Sequence, residues 1–251
     1  MRLYRTYHSQ VLEVDLPYTL ELEEASFQHL CKVLRLGVGQ EIHVVDGSGG
    51  HYVGQLVNVE KKRAQVELTA YVQADNESPL DLHLIQGISR GDRMDLTIQK
   101  AVELGVSEIT PVFTERCGVS LSGERLEKKM AHWQAIIVSA CLQSYRDTIP
   151  RLNPAIDLKD YFKLVASQEN SAKQLYVNLN PFAGQRLRTI PQDTYEKVHL
   201  LIGSEGGLSD AEIAQAAEVG FSDFNLGPRV LRTETTGLTA LAILQALLGD
   251  L

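Results

Sequence analysis

Two short loops near the C-terminus carry the side chains best suited to chemistry. The first is Gly203-Ser204-Glu205-Gly206-Gly207, directly after His199-Leu200-Leu201-Ile202, which reads as a strand end. The second is Leu226-Gly227-Pro228-Arg229-Val230-Leu231-Arg232-Thr233-Glu234, ahead of an almost wholly apolar run to Leu248. Glycines let backbone come close to a ligand and offer it N–H groups. The Gly-Pro pair marks a bend from which Arg229 and Arg232 project. Acid and arginine side chains thus stand beside backbone able to hold a cofactor. Each acid also has a purely structural use, Glu234 in the positive first turn of a helix and Glu205 as a hydrogen-bond partner in its turn.

The elements that must hold these loops can be read around them. Ser209-Asp210-Ala211-Glu212 is a capping box, opening a helix that runs to Gly220. Thr233 can cap the last helix through its hydroxyl. From Leu238 to Leu248 only Thr239 and Gln245 are polar, and Gly249 supplies the stop. A helix apolar on nearly every side is buried in a core or a tight dimer interface. Leu241 and Leu244 are therefore expected to face a partner chain. Upstream, strands are expected over 81–85, 106–113 and 175–179, and helices from Gly91 to Leu104, from Glu124 to Tyr145 and from Leu158 to Ala166. This alternation predicts an α/β fold with a parallel sheet covered on both faces. Ligands in such sheets lie beyond the carboxyl ends of the strands, where both loops and Leu179-Asn180-Pro181 fall.

Residues 1–72 are β-rich instead. Glu41 to Val45 and His51 to Val57 flank a Gly47-Ser48-Gly49-Gly50 turn, a hairpin pattern, and Arg63 to Thr69 alternates as a further strand. One helix, Glu24 to Leu36, should bury Phe27, Leu30, Val33 and Leu34. Short strands with one helix suggest a small barrel. Arg2, Arg5, His8, His29, Lys32 and Arg35 form two basic clusters, with Tyr4 and Tyr7 interleaved in the first. Arginines with aromatic rings suit phosphate contact and base stacking, although any one of them could simply be a solvated surface residue. The polar stretch 73–79 reads as a linker, leaving a second domain over 80–251.

Composition narrows the classes. A formal charge of −8 over 251 residues argues against wholesale coating of nucleic acid, but not against a local basic patch. Cys31, Cys117 and Cys141 are odd in number and widely spaced, which suits buried thiols in a reducing cytoplasm. Histidines show no metal spacing, so no metal site is expected. No apolar run has transmembrane length and no signal peptide pattern is present, so no membrane partner and a cytoplasmic location are expected. The first loop is not followed by Lys-Ser/Thr, and no GxGxxG or GxSxG motif occurs, which leaves nicotinamide, NTPase and serine-hydrolase chemistry unsupported.

Ile202 to Ser209 and Leu226 to Thr235 resemble the two signature motifs of the RsmE family, SPOUT-class methyltransferases that modify N3 of a uridine in the decoding region of 16S rRNA. Gly91-Asp92-Arg93-Met94-Asp95 with Gln99 to Val106, Thr114-Glu115-Arg116-Cys117, and His29-Leu30 with Val33-Leu34-Arg35 match further family stretches. The likeness covers the whole chain. It implies an N-terminal PUA-like β-barrel, a SPOUT-type parallel sheet with a C-terminal deep trefoil knot, a homodimer, and S-adenosylmethionine as donor. The RNA partner would be 16S rRNA, in a small-subunit particle.

The donor-binding positions would be Leu179, Asn180, Ile202, Gly203, Glu205, Gly206, Gly207, Leu226, Gly227, Pro228, Val230 and Leu231. Arg232 or Arg229 could stabilise the charge that develops on uracil, and Glu205 or Glu234 could take its N3 proton. Arg2, Arg5, Lys32, Arg35 and Arg229 would contact RNA. The chain departs from the family at Ser204 (usually Pro), Gly237 (commonly Ala), Leu142 (a glutamate) and Tyr145 (a short residue). The alternatives are a SPOUT enzyme of other specificity and an inert RNA-binding or assembly protein.

Overall fold

The computed structural model describes residues 3–167, 173–192 and 195–251, and these divide into two units. The first comprises Met1–Glu77 together with Cys141–Ile149, so a later segment joins the β-rich N-terminal residues; the second comprises Ser78–Ala140 and Pro150–Leu251.

In the first unit, strands β1 (Arg5–Tyr7), β2 (Tyr18–Glu21), β3 (Glu41–Val45), β4 (Gly50–Val59) and β5 (Ala64–Gln73) form a mixed sheet in the order β1-β3-β4-β5-β2. β3 and β4 make the expected hairpin, pairing Glu41 with Gln55 and Val45 with His51. The helical segment begins as α1 (Glu24–Phe27) and continues as a π-helical stretch over Gln28–Val33. Phe27 and Leu30 drop into a core with Leu20, Ile42, Val44, Leu56 and Val66. Val33, expected inward, is 69% exposed, because the wider π-helical turn rotates it off the buried face.

The second unit alternates as expected: β6 (Asp81–Gly87), α2 (Asp92–Glu103), β7 (Glu108–Phe113), α3 (Gly123–Ser144, which ends in the first unit), the short β8 (Arg151–Leu152) and β9 (Ile156–Asp157), α4 (Leu158–Ala166), β10 (Gln174–Leu179), β11 (Lys197–Ile202), α5 (Asp210–Glu218), β12 (Ser222–Phe224) and α6 (Thr233–Leu248). Its strands run in the order β12-β10-β11-β6-β7-β8, with β9 also on β7, and every pairing is parallel. Near-continuous apolar runs such as Leu82, Leu84, Ile85 and Val198, Leu200, Leu201 are fully buried, as a sheet covered on both faces requires.

Helix α6 corrects one expectation. Leu241 and Leu244 face the core of their own chain, with no exposed surface, so neither is free for a partner. Gln245 is buried with them, donating to the Leu104 carbonyl (2.9 Å) and accepting from Ser78 Oγ (2.8 Å). The half-buried apolar residues are Leu238, Ala242, Ile243, Leu247 and Leu248.

Candidate functional site

Parallel strands that end together leave a crevice at their carboxyl ends. β10 ends at Leu179, β11 at Ile202 and β12 at Phe224, and a cavity of about 630 Å³ opens there. Its wall takes in Leu179, Asn180, Ile202, Gly203, Glu205, Gly206, Gly207, Leu226, Gly227, Val230 and Leu231, together with Arg229, Arg232 and Glu234. The exception among the expected donor contacts is Pro228, which is exposed in the bend.

The crevice is braced by side-chain hydrogen bonds. Asn178 and Asn180 donate to the two oxygens of Asp223, at 2.7 and 2.8 Å, and so tie β10 to β12. The capping box at Ser209 and Glu212 is formed as expected. Thr233 is not the cap: Arg232 holds that position without a side-chain bond. The Thr233 hydroxyl instead donates to the Gly203 carbonyl (2.7 Å) and accepts from Gln86 Nε2 (3.2 Å). This locks the start of α6 to the first loop, which is why the two motifs face each other across the cavity.

Two glycines explain how that first loop folds. Gly207 has φ +68 with nothing within 4 Å of an added Cβ, so a side chain there would be strained and stand in open space. Gly206 differs from expectation: a Cβ would lie 2.7 Å from Arg116 Cβ and 2.8 Å from its carbonyl oxygen. Gly206 thus permits close packing on Arg116 while it also stands on the cavity wall.

The acids divide in role. Glu205 accepts from the Arg90 amide at 2.8 Å and from Arg93 Nη1 at 2.9 Å. Burial alone would raise its carboxyl, but the bonds from Arg90, from its own amide and from Arg93 hold it below the ordinary carboxylate value. It is a fixed anion. Glu234 lies only 3.9 Å from Arg93 Nε, and its Oε2 has no hydrogen-bond partner among the described residues. Arg93, in the first turn of α2, therefore reaches a carboxylate from each loop. Sequence reasoning assigned it no role; the available signal was a cation where helix dipoles favour acids. Arg116 was likewise missed; it lines the cavity and donates to the Leu208 carbonyl at 3.0 Å.

The expected RNA contacts do not behave alike. Arg229 and Arg232 are exposed. Lys32 and Arg35 are exposed in the first unit, with Lys32 Nζ 4.9 Å from the Phe27 ring centre. Arg5 is a correction: its guanidinium is buried and bound to Asp147, which also takes His51 Nδ1 at 2.8 Å, so it holds the first unit together rather than meeting phosphate. Arg2 lies outside the described residues.

Comparison with known proteins agrees with this architecture. A family model described as an RNA methyltransferase domain matches residues 76–245, and one described as an RNA methyltransferase PUA domain matches residues 22–69. Ribosomal RNA small subunit methyltransferase E of Buchnera aphidicola is 32% identical over 250 residues, covering 100% of this chain and 97% of the relative. The chain belongs to the ribosomal RNA small subunit methyltransferase E family. The structure of a Neisseria gonorrhoeae member, bound to S-adenosyl methionine, is 38% identical with a TM-score of 0.88, covering 99% of both chains. A Legionella pneumophila protein described as a methyltransferase, with bound cofactor SAM, is 39% identical with a TM-score of 0.91 over 100% of both chains. Membership of the family accounts for the parallel sheet and the separate N-terminal unit together.

Proposed function

We propose that the protein uses S-adenosylmethionine to methylate N3 of a uridine in the decoding region of 16S rRNA. The observation that carries this is the cavity walled by the loops 203–207 and 226–232, in a member of a ribosomal RNA methyltransferase family whose relatives bind that cofactor. Its volume falls in the range of ligand sites, about 300–1,000 Å³, and its wall combines apolar Ile202, Leu226 and Leu231 with loop backbone. Those residues fit a cofactor with a flat base and a polar tail. The bound donor would supply an electrophilic methyl group on a sulfonium.

The chain's own groups would do the rest. Glu234, with acceptor capacity to spare, takes the N3 proton; Glu205, already held by Arg90 and Arg93, keeps the first loop in place. Arg232 and Arg229 stabilise the charge spread over the uracil oxygens and neighbouring phosphates. Holding N3 and the methyl carbon in line supplies much of the acceleration. Lys32 and Arg35, with Arg2, contact RNA from residues 1–72, while 73–79 link these to a methyl-transfer domain over 80–251. The half-buried apolar face of α6 supports a homodimer. The pinning of 203–207 to the start of α6 is in keeping with a deep trefoil knot, and the substrate would be 16S rRNA within a small-subunit particle in the cytoplasm.

Calorimetry with S-adenosylmethionine, and mass spectrometry of rRNA nucleosides from cells lacking the protein, test this reading. Saturable donor binding and loss of N3-methyluridine are expected. Absence of donor binding would leave an inert RNA-binding module instead.

A further inference from the structure

Phe182 is 87% exposed and Val230 73%, the two highest values among the large apolar side chains of the described residues. Both lie on the wall of the same cavity. Phe182 is not on a loose loop. Its amide donates to Asn180 Oδ1 at 3.0 Å, Ala183 N to the Asn180 carbonyl at 3.1 Å, and Asn180 is itself bound to Asp223. The ring is thus carried on a braced turn and left bare. The other aromatic residue on the wall, Phe224, is 4% exposed and belongs to the core.

The chemistry proposed above, on which this inference rests, creates a need for such a ring. N3 lies on the pairing edge of uracil, so the base must be unpaired and taken out of its stack before N3 can be reached. The lost stacking has to be recovered in the site, and enzymes that extrude a base recover it on aromatic or apolar side chains. We propose that Phe182 is the stacking platform for the target uracil, with Val230 as the apolar contact on the opposite side of the base and exposed Arg229 and Arg232 for the flanking phosphates. A second copy of the chain is a poorer occupant. Two side chains bordered by arginines are far short of the roughly 800 Å² per partner of a stable interface, and α6 offers a separate apolar face.

Phe182→Ala removes an exposed ring and leaves the fold unburdened. Stacking of one base on an aromatic ring is worth about 1–3 kcal/mol, so KM for small-subunit RNA should rise by about tenfold. Affinity for S-adenosylmethionine and the sedimentation coefficient should not change, and Phe182→Trp should restore the KM. The indole introduced by Phe182→Trp should lose fluorescence on addition of uridine-containing RNA and not on addition of the donor alone; the native Trp133 is 1% exposed and gives a constant background. An unchanged KM in Phe182→Ala would overturn the proposal. So would a parallel loss of donor affinity, which would put the ring against the cofactor, or a shift in sedimentation, which would put it in a dimer interface. An unmodified protein that fails to methylate would sink the proposed function itself, and this inference with it.

Discussion

Strand β11 carries a polar group at each end, and the two are treated in opposite ways. Near its start, His199 lies flat on the Tyr176 ring, 4.4 Å between centroids and 4° between planes, with its Nδ1 3.1 Å from Nδ1 of His83. Burial, with His83 and Lys197 nearby, pushes His199 down to about 3; burial also takes His83 to about 4. Both are neutral near pH 7. Just past the other end of the strand, Glu205 stays ionised with 27% of its side chain exposed. His83 and His199, near the amino ends of their strands, are packed among rings and cannot become charged without disturbing the core. Glu205, past the carboxyl end of β11, keeps its charge and stands on the wall of the cavity. Polarity alone does not mark a site; accessible charge on a braced frame does.

The strongest way to test that division is to damage each end in turn. Gly207→Val forces a β-branched residue to φ +68 and puts its side chain into the open space of the first loop. Affinity for S-adenosylmethionine should fall by about 100-fold or more, given how poorly such residues tolerate that region, while circular dichroism stays native. His199→Phe, at the other end of the sheet, should bind the donor like the parent. Equal damage to binding by both would show that the two ends are not separate in function.

Among the charged groups of the cavity, Glu234→Gln and Glu205→Gln should part company. Removing a general base typically costs about 10²–10⁴ in rate, so Glu234→Gln should lose kcat at nearly constant donor affinity. Glu205→Gln should instead weaken donor binding, since it loosens the loop held by Arg90 and Arg93. Parental kcat in Glu234→Gln would remove it as the proton acceptor.

Acid should act on the other end of the sheet. His83 and His199 titrate near 6.5 when unfolded and near 4 and 3 when folded, so below pH 6.5 the unfolded chain binds more protons. Their contribution is fully present above pH 6.5 and is lost progressively as pH falls toward 4 and 3, a change on the order of a few kcal/mol. Urea unfolding at pH 7, 5.5 and 4.5 measures it. His199→Phe should flatten the dependence; an unaltered slope would mean other groups set acid stability.

How far the sequence carried differs between fold and site. The alternation of strands and helices, the hairpin and the capping box were legible because each is a local pattern of apolar spacing, glycine and cap residues. The two loops were legible because glycine, proline and charge cluster in them. Arg93 and Phe182 were not, since both reach the cavity by tertiary placement, Arg93 from α2 and Phe182 from the turn after β10. The Thr233 hydroxyl was misassigned for a related reason: the Gly203 carbonyl, thirty residues away in sequence, competes for it and wins. Arg5 and Arg35 looked equivalent in the chain, because burial and a partner at Asp147 leave no trace around position 5.

That last pair extends the contrast between held and free charge into the N-terminal unit, with the smallest effects. Arg35 is exposed, so Arg35→Ala should raise KM for small-subunit RNA a few-fold and lower the slope of log K against log salt by about one, the loss of a single phosphate contact. Lys32→Ala should do the same. Arg5→Ala should lower the melting temperature, because Asp147 is left buried with His51 as its remaining neighbour, yet leave the salt slope at the parental value. A reduced slope in Arg5→Ala with an unchanged melting temperature would reverse the assignment, making Arg5 a reader of RNA and its bond to Asp147 dispensable.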